Sequence, residues 1–208
     1  MPLEIWIGFA VASLVLLSIP GPTVMLVISY ALGRGRSTAW VTVPGVALGD
    51  FTAMTLSLLG AGAVLAASAT LFTLLKLAGA AYLVWLGIQL WRAEPHIGAI
   101  AATANRKSGK AMFWSAFVVT ALNPKSIVFF IAFVPQFVTP ARPVLPQFVI
   151  LVATFLVLAV LTNGIWALLA GEMRARFTSR RIARAVNRLG ASFLIGAGAL
   201  TALARRSS

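Results

Sequence analysis

Apolar runs of about 20 residues or more follow one another along almost the whole chain, and that is the length a helix needs to cross a bilayer. In hydrocarbon every backbone N–H and C=O must be paired within the chain, so a run of this kind is helical. With 60% hydrophobic and 10% charged residues, nothing is left over for a soluble core. The expected fold class is an all-α integral membrane protein, a single membrane domain over residues 1–208. Six transmembrane helices are predicted: Ile5 to Tyr30, Trp40 to Ala67, Leu71 to Trp91, Ala111 to Val138, Val144 to Ala170, and Leu189 to Ala204. Glu4 and the lack of Lys or Arg before the first run give it no signal-peptide flank, so it is expected to stay as a helix.

A net charge of +13 raises the question of nucleic acid, but the basic residues fall between apolar runs and do not form a surface stripe. Twelve lie in the segments after spans one, three and five, among them Arg34, Arg36, Arg106, Lys107 and the arginine run from Arg174 to Arg188. The opposite side holds only Arg142, Arg205 and Arg206. This is the positive-inside pattern, and it puts both termini outward and the basic loops in the cytoplasm. The arginine run is expected to lie as a basic helix on an anionic membrane face. No nucleic-acid partner is implied. Cysteine is absent, which excludes disulfides, thiol redox chemistry and thiolate metal sites.

The halves resemble each other. Gly79-Ala80-Ala81-Tyr82-Leu83-Val84 with Gly87 matches Gly190-Ala191-Ser192-Phe193-Leu194-Ile195 with Gly198, and Pro22 and Pro44 precede Pro124 and Pro146 by one fixed offset. A duplicated unit of three helices must insert its second copy upside down, giving an inverted 3+3 repeat, about residues 1–92 and 111–208, of the kind secondary transporters use. Recurrent small residues at helix contacts would produce a similar pattern without duplication. Those small-residue faces join helices either within one bundle or across a homodimer.

Two spans carry breakers deep inside. Ile19-Pro20-Gly21-Pro22 interrupts the first and Leu122-Asn123-Pro124-Lys125 the fourth, and each proline removes a helical hydrogen bond and crowds the turn before it. Either the prolines only kink the helices, or Pro20, Gly21, Pro22 and Pro124 mark true breaks. True breaks would start new half-helices at Thr23, Val24, Ser126 and Ile127, whose unpaired N–H groups suit a carboxylate. Three charges lie within spans: Asp50, Lys76 and Lys125. Ions at membrane depth normally face a polar interior and serve a function. Pro20 and Asp50 each lie about ten residues from the first basic turn, roughly 15 Å deep. Lys125 lies near the midplane. Asp50 and Lys125 form either a cementing ion pair or a site for a zwitterion, with an ammonium against Asp50. Lys76, near its span end, either snorkels to the headgroups or joins that site. Trp6, Trp40 and Trp91 read as interfacial anchors.

These segments resemble the LysE/RhtB amino-acid exporters. The resemblance runs through Ile19-Pro20-Gly21-Pro22, Pro44-Gly45 with Gly49-Asp50, Lys76 with Gly79-Ala80 and Tyr82-Leu83, Leu122-Asn123-Pro124-Lys125, Phe129-Phe130, and Pro135-Gln136-Phe137. It implies a bacterial inner-membrane protein of six helices that exports amino acids or close derivatives on the proton gradient. It also implies that Gly21, Pro22, Asp50, Asn123, Pro124 and Lys125 are the family's characteristic positions. The expected partners are then a small amino acid, protons and the lipid bilayer, with no cofactor and no metal. Asp50 is the candidate for proton coupling, and Asp50, Lys125, Asn123, Thr23 and Ser126 are the substrate-binding candidates. A metal-cation exporter on a similar scaffold is the alternative, though it needs several ligands at depth. Enzymatic chemistry is not expected, because no His or Cys lies within a span to serve as base or nucleophile.

Overall fold

A computed structural model describes residues 1–92, 108–139, 141–176 and 180–203. Among the described residues there are helices and turns and no strands. The first predicted span forms two helices, α1 (Leu3–Ser18) and α2 (Pro22–Arg34), bent by 53° at the break between them. Pro22 fills the first position of α2, where its missing N–H costs nothing. Gly35 ends α2 at φ +92°, a left-handed value that favours glycine, and Arg36–Thr38 adds one tight turn. Helix α3 (Ala39–Ala67) carries Pro44 inside it. Only Ser68 separates it from α4 (Ala69–Arg92): its N–H bonds to Val64 O, and its Oγ accepts from the Leu71 N–H.

The fourth span begins as α5 (Gly109–Ala121), with Ser108 Oγ capping the Ala111 N–H. It pauses at Leu122 and Asn123 and resumes as α6 (Pro124–Val128). A wide turn (Phe129–Phe133) and a tight turn (Val134–Phe137) complete it. Unlike the first break, this one leaves Gly109–Phe137 as one continuous candidate span. Gln147 closes the connection to α7 (Val144–Arg176) by bonding both the N–H and the carbonyl of Thr139.

The last helix, α8 (Arg180–Leu203), covers the described part of the sixth predicted span. Among the described residues four helices are long and apolar enough to cross a bilayer, the bent α1–α2 pair makes a fifth candidate, and Ala191–Leu203 of α8 is a shorter apolar helix. Arg174 and Arg176 lie at the end of α7, and Arg180, Arg181, Arg184 and Arg188 in the first turns of α8. Arg106, Lys107, Arg205 and Arg206 lie outside the described residues.

Glycine sets the closest helix contacts. Gly45 meets Phe113 O and Ala116 Cβ, and four residues on Gly49 meets Phe117 O and Thr120 Cβ, so α3 and α5 run parallel with their backbones nearly touching. Gly87 meets Ile195 and Ala191 O, while Gly198 meets Ala80 O and Val84, so α4 and α8 run antiparallel. The small-residue faces of the third and sixth predicted spans therefore pack on each other within one chain. Trp6 Nε1 donates to Thr154 Oγ1 at 2.9 Å, tying α1 to α7. Arg188 stacks over Trp91, and Trp40 is almost fully exposed.

The core is aromatic. Phe129, Phe130 and Phe155 are fully buried, with Phe130 and Phe155 edge to face at 4.9 Å, and Phe9, Phe133 and Phe137 extend the column. Leucines such as Leu56, Leu59 and Leu145 cover the outside, as a surface against lipid tails requires.

Candidate functional site

The two breaks lie beside each other. Lys125, the second residue of α6, reaches across, and its Nζ donates to Leu16 O, in the last turn of α1, at 3.0 Å and to Ile19 O, just past its end, at 3.2 Å. Leu16 O also accepts from the Ile19 N–H at 3.3 Å, and the partial negative charge of carbonyls at a helix end favours a cation. The ammonium holds a third hydrogen beyond its two bonds. It also stands close to Gly21. That residue has φ −127° and ψ −173°, extended backbone open to any residue, but a β-carbon there would stand 3.2 Å from Lys125 Nζ. A side chain there would make the end of the lysine shift by a few tenths of an ångström.

The two new helix starts differ. Asn123 caps α6 with its own side chain, Oδ1 accepting from the Lys125 N–H at 3.1 Å. Its Nδ2 donates to Thr23 Oγ1 at 3.3 Å, and Thr120 Oγ1 donates to the same oxygen at 3.2 Å, so the breaks are stitched together by side chains. Gly21 has no side chain to cap α2, and the first helical bond there is Met25 N–H to Gly21 O at 2.9 Å. The N–H groups of Thr23 and Val24 come before it, at the positive end of a 13-residue helix.

Both breaks open on one narrow, partly open cavity of about 20 Å³. Gly21, Thr23 and Val24 line it from α2, Asp50 from α3, and Asn123, Lys125 and Ser126 from the second break. Leu16 and Leu17 supply an apolar wall. Asp50 is 2% exposed, and Lys125 is the cation that acts on its carboxylate. The half-buried ammonium of Lys125 is bonded to backbone carbonyls and acts on the buried Asp50 through space.

The structure thus places Asp50, Lys125, Asn123, Thr23, Ser126 and Gly21 around one space. Pro20, Pro22 and Pro124 shape the breaks without lining the cavity, and Lys76 stands apart, half-buried on α4. One lining residue is new. Asn163, on α7 and 1% exposed, completes the wall. It is a strong hydrogen-bonder inside an apolar run, the same signal that marked Asp50.

The model of the LysE type translocator family matches residues 14–205. The chain belongs to that family. Relatives of this translocator include an uncharacterized membrane protein of Vibrio cholerae, 34% identical over 99% of this chain and 100% of the relative. The homoserine/homoserine lactone efflux protein of Salmonella typhi is 34% identical over the full length of both chains. The leucine efflux protein of Salmonella choleraesuis is 26% identical over 90% of each. No solved structure gives a significant match. Among the described residues of this translocator no three His, Cys, Asp or Glu side chains gather to hold a metal ion, so the metal-cation alternative is not supported.

Proposed function

We propose that the protein is a secondary transporter that exports a small amino acid or close derivative from the cytoplasm across the bacterial inner membrane. The observation that carries this is the shared cavity. It offers a carboxylate, Asp50, for an ammonium group, and the open N–H groups of α2 with the third hydrogen of Lys125 for a carboxylate. A zwitterion matches both ends. Thr23, Asn123 and Ser126 hold these groups in register. Relatives named for efflux of homoserine and its lactone, and of leucine, support an amino-acid cargo.

On this reading Asp50 alternates between the ammonium of the cargo and a proton, so that outward movement of one is matched by inward movement of the other. The scaffold is an inverted repeat of six spans with both termini outward. Its support is directional. The first span runs parallel to the fifth, with Trp6 bonded to Thr154 near their starts and Val27 and Ala31 sharing an apolar cluster with Ala167 and Ala170 farther along, as a pseudo-two-fold axis requires if the fourth runs parallel to the second, and the antiparallel third and sixth would lie on the axis.

The test is reconstitution. Proteoliposomes loaded with radiolabelled amino acids, with and without an imposed pH gradient, are expected to release at least one of them faster when the gradient is present. Asp50→Asn is expected to reduce that release at least tenfold at equal protein content. Release by the Asp50→Asn protein at the wild-type rate would refute the role of Asp50, and gradient-independent release would refute proton coupling.

A further inference from the structure

Asn163 holds an oxygen with nothing bonded to it. Its Nδ2 donates to Ala159 O at 2.9 Å, one turn back on α7, while Oδ1 is buried without a hydrogen-bond partner. Turning the amide over would set Oδ1 against the Ala159 carbonyl oxygen, so the Nδ2 bond fixes which end of the group is free. Ser13 Oγ and Thr139 Oγ1 are also unpartnered and buried, but neither residue lines the cavity, whereas Asn163 does. A buried acceptor without a donor is costly in any protein and more so at membrane depth, where water is scarce.

We propose that Asn163 is a specificity-determining residue whose Oδ1 accepts a hydrogen bond from a hydroxyl on the side chain of the cargo, which makes hydroxylated small amino acids the preferred substrates. The assignment rests on the amino-acid reading above. With the ammonium at Asp50 and the carboxylate at the start of α2, the two charged ends of a zwitterion are placed, and one acceptor remains on a different helix. A hydroxyl satisfies it; a methyl group in the same place leaves it bare. Leu16 and Leu17 would cover the carbon skeleton between. Sites that hydrogen-bond a substrate hydroxyl reject the analogue lacking it, because their own polar group is then stranded.

The experiment compares homoserine with 2-aminobutyrate, which has a hydrogen where homoserine has its hydroxyl, in proteoliposomes carrying wild-type protein, Asn163→Leu or Asn163→Thr. Wild-type protein is expected to favour homoserine by about tenfold or more in the ratio of transport rate to KM. Asn163→Leu should abolish the preference while still carrying 2-aminobutyrate. Asn163→Thr should keep part of it, since a threonine hydroxyl bonds one turn back and leaves its oxygen as an acceptor, as Thr42, Thr52 and Thr201 do here. Equal transport of both compounds by wild-type protein overturns the assignment, and so does an Asn163→Leu protein that loses both alike or keeps the preference. Should the leucine variant fail to reach the membrane, a threonine variant with the full wild-type preference overturns it alone. Transport of neither compound, nor of any other amino acid, by wild-type protein defeats the export reading itself.

Discussion

A β-carbon at Gly49 tests how tightly the site depends on helix packing. Gly49 precedes Asp50 on α3 and presses against α5, and an alanine there would bring Cβ to 2.8 Å from both Phe117 O and Thr120 Cβ and 3.1 Å from Ala121 N. Ordinary contact begins at 3.4 Å, so α5 must retreat by about 0.6 Å, and two of the three obstacles are backbone atoms that cannot rotate aside. Overpacking of this kind costs about 1–3 kcal/mol. The displacement falls on Thr120, whose 3.2 Å bond to Thr23 stretches beyond hydrogen-bonding range, and on the second break just after it. Misplacement by about 1 Å can cost about a hundredfold in rate, so Gly49→Ala is expected to slow transport about tenfold while the protein still folds. The control is Gly60→Ala on the same helix, where a new Cβ meets nothing within 4 Å and helix propensity improves by up to about 1 kcal/mol. Initial rates in proteoliposomes at equal protein content, with thermal midpoints measured in detergent, decide the matter. A Gly49→Ala protein that transports at the wild-type rate would refute the coupling of packing to site geometry, and equal impairment by Gly60→Ala would show that the effect is not one of contact.

Two further outcomes follow from the lysine and the open helix start. Lys125→Met removes the donor from Leu16 O and Ile19 O and the cation that acts on Asp50, a loss of about 1.5–3 kcal/mol for hydrogen bonds to a charged group; the double variant Asp50→Asn/Lys125→Met should regain part of that stability but no transport, and a stable, active Lys125→Met protein would contradict both assignments. Gly21→Asn should cap α2 as Asn123 caps α6, raising KM for a carboxylate-bearing cargo about tenfold with little change in thermal midpoint. An unchanged KM would mean that the α2 N–H groups do not meet the cargo.

The breaks were legible in the sequence because proline acts locally: Pro22 and Pro124 start helices whatever surrounds them, and residues 19–21 and 122–123 fall out of the helix accordingly. The common depth of Asp50 and the first break was also legible, since it needs only a count of residues from a basic turn. The direction of Lys125 was not. Its bonds to Leu16 and Ile19 depend on how two distant segments cross, which no local rule contains. The glycines of the third span announced a close contact, yet nothing in the spacing said that Gly87 would meet Ala191 of the same chain and not a second copy. The helix that carries the sixth predicted span begins earlier, at Arg180, because arginine is a good helix former and a polar start to a helix leaves no mark in an apolar run. Asn163 carried a legible signal too, since an amide inside an apolar run needs a polar partner at depth just as an ion does.

The two breaks have similar sequences but unequal chemistry, and the inequality bears on how cargo could move the protein. At the second break the helix start is satisfied internally, by Asn123. At the first, the helix end is bonded by a borrowed cation from the second break, and the helix start is left open toward the cavity. The ammonium that holds α1 in place therefore also borders the space assigned to the cargo carboxylate. On the proposed reading, a carboxylate that draws Lys125 toward itself weakens the bonds to Leu16 and Ile19, and the 53° bend between α1 and α2 is where that loss is felt. Site occupancy and the angle of the first span then share one set of hydrogen bonds. A cargo without a carboxylate would not engage that set, even if it filled the cavity equally well.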